Sequence, residues 1–140
     1  MTTTRGVRNR NPGNIDWSKA NDWVGQTGKE GGPGGRFAVF DTPENGIRAL
    51  GKLLQTYYKK HKLQTVQAII KRWAPEVEND TGAYINAVAA RCGLKPTEQI
   101  RNIKDVRVLA GLMHAIIKHE NANFEYPEAV FAEGLRRALA

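Results

Sequence analysis

From residue 41 to the end of the chain, apolar residues recur at steps of three and four. That spacing lines side chains along one face of an α-helix. "DTPENGIRALGKLLQTYYKK" carries Ile47, Leu50, Leu54 and Tyr57, with Asp41/Thr42 as cap and Pro43 at the first helical position. "TVQAIIKRW" carries Val66, Ile69, Ile70 and Trp73. "NDTGAYINAVAARCG" places Tyr84, Ile85 and Val88 between caps at Asn79/Asp80 and a terminating Gly93. "DVRVLAGLMHAIIKHE" is the clearest helix, and "PEAVFAEGLRRALA" starts on Pro127 and closes the chain.

Residues 1–36 are of another kind, rich in Gly, Asn, Pro and Trp. "NPGNI" (11–15) reads as a turn, and "GQTGKEGGPGG" (25–35) carries six glycines in eleven residues. "RFAVF" (36–40) is β-like. A small, irregular β-hairpin region with a mobile glycine loop is expected here. The glycines do not form a phosphate-binding loop, because no Gly-Lys-Ser/Thr ending and no helix follow directly. With 140 residues, the expectation is one domain, 1–140, of the α+β class and mainly α-helical.

Composition narrows the chemistry. A single cysteine, Cys92, rules out an intramolecular disulfide and a multi-cysteine zinc site, and "AVAARCGL" suits a small buried side chain. His61, His114 and His119 lack metal-ligand spacing, and no Gly-x-Ser-x-Gly occurs. Neither metal nor cofactor is expected. No apolar run approaches the ~20 residues that span a bilayer, so no membrane insertion is expected. The start, "MTTTRGVRNR", has no apolar signal-peptide region. The net charge of +7 suits an anionic polymer, either nucleic acid or a carboxylate-bearing bacterial wall. Lys and Arg are spread along the chain with no recognition-helix pattern, so no nucleic-acid partner is expected.

One residue breaks the helical stripe near the end. Leu109, Met113 and Ile116 step by four and three, and the next step of four lands on Glu120 in "AIIKHEN". Glu120 therefore shares the inward face and lies in the last turn, where the helix dipole is negative. Both features disfavour its charged form, the situation of a general acid. The plain alternative is a helix end surfacing into water beside the polar His119 and Asn121. Glu44 lies in a first helical turn and suits a cap or an ionised stabiliser; Glu76 and Glu78 lie in a loop. Asp16 and Asp22 flank tryptophans in the N-terminal region. The aromatic set includes Trp73 and Tyr57, which suit core packing, and Trp17 and Trp23, which suit exposure.

Taken together, "NPGNI", "RFAVFDTPENGIRAL", "WAPEVENDTGAYINAV" and "AIIKHEN" resemble a family of small phage and prophage proteins with a lysozyme-like fold, over residues from about 8 to 124. More widely, "TPENGIRAL" looks like a helix start of goose-type lysozymes and lytic transglycosylases. "RWAP" falls where their Tyr-Asn-Ala-Gly loop stands, and Tyr84 falls at a later tyrosine. Their catalytic helix, ending in Glu-Ser, precedes the β region; here the similar element, "AIIKHEN", follows it. The resemblance implies a circularly permuted lysozyme-like fold, with Asn121 in place of the serine.

The resemblance also implies a function. Glu120 would protonate the β-1,4 bond between N-acetylmuramic acid and N-acetylglucosamine in peptidoglycan. Hydrolysis or formation of a 1,6-anhydro product would follow. Tyr84 would stabilise the transition state, while Trp73, Asn121, Glu44 and Phe40 would contact substrate. Arg36 and Lys71 would attract the anionic wall. A monomer is expected, made in the bacterial cytoplasm and reaching the wall through a holin, a virion or a secretion apparatus. The rival expectation is a non-catalytic wall-binding or virion structural protein that keeps the fold.

Overall fold

The computed structural model describes residues 3–75 and 81–140. Its elements, in chain order, are α1 (Arg5–Arg8), β1 (Gln26–Lys29), β2 (Ala38–Phe40), α2 (Pro43–Lys59), α3 (Val66–Trp73), α4 (Thr81–Cys92), α5 (Val106–Glu120) and α6 (Glu128–Leu139). The chain is mostly helical with one small antiparallel sheet, an α+β arrangement. Each helix expected from periodicity is present. The caps expected at Asn79/Asp80 lie outside the described residues.

The glycine-rich stretch contains a strand. Its first part, Gln26–Lys29, is strand β1, paired with β2 in the register Gln26↔Phe40, Gly28↔Val39 and Lys29↔Ala38, with a bulge between Gln26 and Gly28. β2 provides the driving force, since Ala38 and Phe40 are fully buried. Residue 30 closes the loop that follows. The Glu30 carboxylate accepts from Arg5 Nε (2.9 Å), Asn9 Nδ2 (3.0 Å), Arg36 N (3.0 Å) and Phe37 N (3.2 Å). The Arg5 guanidinium, then the other donors, hold this carboxyl well below the usual carboxylate range. The pairing also explains α1, a single turn in a basic segment that periodicity did not reveal.

The chain divides into two compact units, Met1–Lys52 with Ile116–Ala140, and Leu53–Ala115. In the first, β2 contributes Ala38 and Phe40 to the core, α2 contributes Ile47, Ala49 and Leu50, α5 contributes Ile116 and Ile117, and α6 contributes Phe131 and Ala138. Fully burying each large apolar side chain stabilises by about 1.5–3 kcal/mol. α6 lies hard against α2, because a Cβ on Gly134 would stand 2.4 Å from Ile47 Cγ2. Arg137 Nη1 donates to Asn45 Oδ1 at 3.1 Å, and Lys52 Nζ donates to the Ala140 carbonyl at 3.0 Å.

In the second unit, Val66, Ile69 and Ile70 of α3 are buried, as are Ile85, Val88 and Cys92 of α4 and Leu109, Leu112 and Met113 of α5. Thr65 caps α3, its Oγ1 accepting from Ala68 N at 3.1 Å, a contact worth about 1 kcal/mol. Gly93, at φ +75°, terminates α4 in the left-handed region. α4 and α5 approach closely: a Cβ on Gly111 would stand 2.8 Å from Cys92 Sγ. No helix among the described residues is long and apolar enough to cross a membrane.

Cys92 takes the expected role of a small buried side chain, with its thiol donating to the Val108 carbonyl at 3.5 Å. Burial pushes the thiol up to about 11, against weaker opposing effects of Arg107 and Arg91. Because the thiolate is the reactive species, Cys92 should react with an aromatic disulfide at pH 8 at least about a hundredfold more slowly than a free thiol. Denaturant should restore the full rate. Fast native labelling would mean that α4 and α5 part readily.

Candidate functional site

The site begins in the turn "NPGNI". Asn11 is completely buried and acts as a local template. Its Nδ2 donates to the carbonyls of Ile15 (3.0 Å) and Ala38 (2.9 Å), and its Oδ1 accepts from Ile15 N (3.0 Å). One amide thus closes the turn and fastens it to β2. Asn14 then adopts φ +49°, a left-handed conformation that asparagine tolerates better than most residues. From there Asn14 Nδ2 donates to Glu120 Oε2 at 3.1 Å, across 106 positions of sequence.

Glu120 is the last residue of α5. Leu109, Met113 and Ile116 are buried, as their spacing predicts, and Glu120 on the same stripe is half-buried. One of its carboxylate oxygens accepts a hydrogen bond from the Asn14 amide.

Asn121 locks the helix end against the turn. It is 1% exposed, and its Nδ2 donates to the carbonyls of Pro12 (2.8 Å) and Ile117 (2.9 Å). Its Oδ1 accepts from Thr4 Oγ1 at 2.8 Å. A Cβ on Gly6 would stand 2.5 Å from Asn121 Oδ1, 2.9 Å from the Asn11 carbonyl oxygen and 3.0 Å from Asn14 Oδ1, so only glycine lets these groups converge. Asn121→Ala removes three hydrogen bonds and strands the buried Pro12 carbonyl. A loss of about 2–4 kcal/mol is expected in urea unfolding, and a loss under about 0.5 kcal/mol would contradict this role.

Two expected substrate contacts are corrected by burial. Phe40 is 0% exposed, a core residue of β2 and not the wall of a groove. Asn121 uses both amide hydrogens and its oxygen within the protein, so it fixes backbone and leaves nothing for substrate. The hydrogen bond to Glu120 comes from Asn14, which periodicity and composition do not single out. Glu44 is half-buried in the first turn of α2.

Tyr84 and Trp73 belong to the second unit. Tyr84 is half-buried on α4, and its hydroxyl donates to the Ala115 carbonyl at 3.0 Å. Trp73 is half-buried at the end of α3, with its ring centroid 5.7 Å from that of Tyr57. The same unit holds an open cavity of about 640 Å³ between α3 and α4, lined by residues that include Gln67, Lys71, Pro75, Ile85 and Asn86. Neither Trp73 nor Tyr84 lines it. Lys71 is exposed, whereas Arg36 pairs with Asp16 at 2.6 Å and lies 5.0 Å over the Phe37 ring. Asp22 is exposed; Trp17 and Trp23 are half-buried, and Lys29 Nζ lies 5.5 Å over the Trp17 ring. Glu76 and Glu78 lie outside the described residues. Among the described residues, no group of three His, Cys, Asp or Glu is placed to hold a metal ion.

The arrangement offers one half-buried carboxyl with an amide partner, at the end of a helix whose buried stripe it continues. No family model matches the chain. The chain is 37% identical over 124 residues to Protein P5 of Pseudoalteromonas phage PM2, a match that covers 87% of this chain and 74% of that protein. That relative is a bacteriophage protein, in agreement with the phage setting expected from the sequence. At this identity and coverage, the chain belongs to the family of Protein P5 of Pseudoalteromonas phage PM2.

Proposed function

We propose that this protein cleaves peptidoglycan glycan strands at the β-1,4 bond between N-acetylmuramic acid and N-acetylglucosamine, with Glu120 as general acid. The observation that carries the reading is the setting of Glu120: half-buried at the end of α5, with Oε2 held by Asn14. A carboxyl fixed in one orientation and partly withdrawn from water can deliver a proton to a bridging oxygen. The charge of +7 favours approach to the anionic wall. Kinship with a phage protein supports a setting in which a wall must be breached. On this reading the fold is a circularly permuted lysozyme-like one, acting as a monomer without a cofactor. The protein reaches the wall through a holin, a virion or a secretion apparatus.

Two outcomes can follow protonation. A water activated by a second carboxylate gives a hydrolysed reducing end, and Glu44, in the same unit as Glu120, is the candidate for that role. Without such a carboxylate, Glu120 acts as base on the muramyl 6-hydroxyl and yields the 1,6-anhydro sugar.

A second reading has its own support. The burial of Phe40 and Asn121, and the tie from the Tyr84 hydroxyl to Ala115, remove groups that a glycan groove would use. They favour a non-catalytic wall-binding or virion structural protein. Purified protein added to outer-membrane-stripped cells separates the two readings. Loss of turbidity supports the hydrolase, whereas co-sedimentation with cell walls without clearing supports the binder.

A further inference from the structure

We propose that Asn14 is the positioning residue of Glu120, its side-chain amide turning over as the carboxyl takes up and releases its proton. The inference rests on the reading of Glu120 as the general acid. Such an acid must alternate between a carboxyl and a carboxylate while holding one orientation. A lysine or arginine can only donate and, being charged, biases the carboxyl toward its ionised form. A primary amide serves both: Nδ2–H donates to the carboxylate, and after rotation by half a turn Oδ1 accepts the proton of the carboxyl.

The geometry has both halves of this device. Asn14 Nδ2 already donates to Glu120 Oε2 at 3.1 Å. Asn14 Oδ1 is buried and is an acceptor without a hydrogen-bond partner, a cost that a buried polar atom carries until it is satisfied. It lies in a cluster of oxygens: it, Asn121 Oδ1 and the Asn11 carbonyl oxygen are all within 3.0 Å of the point where a Cβ on Gly6 would stand. Turning the amide over presents Oδ1 to a protonated Glu120 and brings N–H donors toward that cluster. The orphaned acceptor and the crowding of oxygens are both relieved when the carboxyl is protonated.

Other charges on the segments that meet here are largely engaged. Arg5 pairs with Glu30, Asp16 with Arg36, and Lys118 with Glu125 at 3.5 Å. Arg8 donates to the Thr3 carbonyl at 2.7 Å. His119 also has an interaction partner, and Arg10 is exposed. The hydrogen bond to Glu120 comes from the uncharged amide of Asn14.

Two measurements test the inference. The side-chain amide resonances of Asn14 should move with pH at the same midpoint as the Glu120 carboxyl carbon, and that movement should vanish in Glu120→Gln. Asn14→Gly keeps the left-handed backbone and removes the amide. It should lower the maximal rate on glycan strands about 10–100-fold while the half-saturating concentration stays within about twofold. Asn14→Asp, which keeps the shape but has no N–H to donate and sets a second carboxyl against Glu120, should not rescue the rate. Asn14 resonances that ignore pH, or that titrate alike in wild type and Glu120→Gln, overturn the proposal. So does an Asn14→Gly enzyme of wild-type rate. If the wild type cleaves no glycan, the enzymatic reading falls, and the resonances alone still decide whether Asn14 follows Glu120. If Asn14→Gly fails to fold, the same resonances decide.

Discussion

Glu120→Gln is expected to lower the clearing rate of outer-membrane-stripped cells by about 10²–10⁴-fold, the usual contribution of a positioned general acid. Glutamine matches glutamate in size and keeps an oxygen that can accept from Asn14 Nδ2, so the contact observed at 3.1 Å can persist. What it cannot do is give up a proton to the departing sugar oxygen. The melting temperature should therefore stay within about 2 °C of wild type while activity collapses. Wild-type clearing by the variant would take the acid away from α5 and toward Glu44, the other half-buried carboxylate weighed for this unit.

Gly46→Ala should unfold the protein far more readily, against the trend of helix propensity. In an open helix this change stabilises by up to about 1 kcal/mol. Here a Cβ on residue 46 would stand 1.8 Å from the Arg10 carbonyl oxygen and 3.1 Å from Pro12 Cδ. The obstacle is backbone, which cannot swing aside as a side chain can. Either α2 or the turn at 11–14 must move, and that turn is fastened by Asn11 to Ala38 and by Asn121 to Pro12. A destabilisation of about 3 kcal/mol or more is expected, seen as a fall of roughly 10 °C in melting temperature. Since the same turn carries Asn14, the folded fraction should also lose activity. An unchanged or raised melting temperature would mean that the turn is not clamped on α2.

The helical part of the fold was legible because periodicity is local: each stripe from α2 to α6 announces its buried face within its own residues. α1 and β1 were not legible, because distant partners hold them. Arg5 reaches Glu30, and Gln26 pairs with Phe40. No pattern within "RGVR" or "QTGK" encodes those partners.

The candidate site divides in the same way. Glu120 stood out because it continues an apolar stripe that should have ended in a hydrophobic residue. Its partner did not, since the Asn14 contact requires a left-handed residue at the end of "NPGN" and a helix end 106 positions away. The two asparagines flanking Pro-Gly were the available signal, and they read as a turn without revealing what the turn would hold. Phe40 could have been assigned to the core by strand alternation, since Ala38 and Phe40 point the same way. Asn121 was expected to contact substrate because it follows Glu120 in the sequence. Its side chain instead satisfies the Ile117 carbonyl one turn back and the Pro12 carbonyl of the clamped turn.

The most direct test of the central claim is the mass of the soluble fragments released from purified peptidoglycan by the wild-type protein. Cleavage with Glu120 as acid predicts disaccharide-peptides with glycan ends between N-acetylmuramic acid and N-acetylglucosamine. These would carry an intact reducing end after hydrolysis, or be lighter by one water if the 1,6-anhydro sugar forms, and they would be absent with Glu120→Gln. Undigested glycan strands, or fragments cut only within the peptide stems, would contradict it.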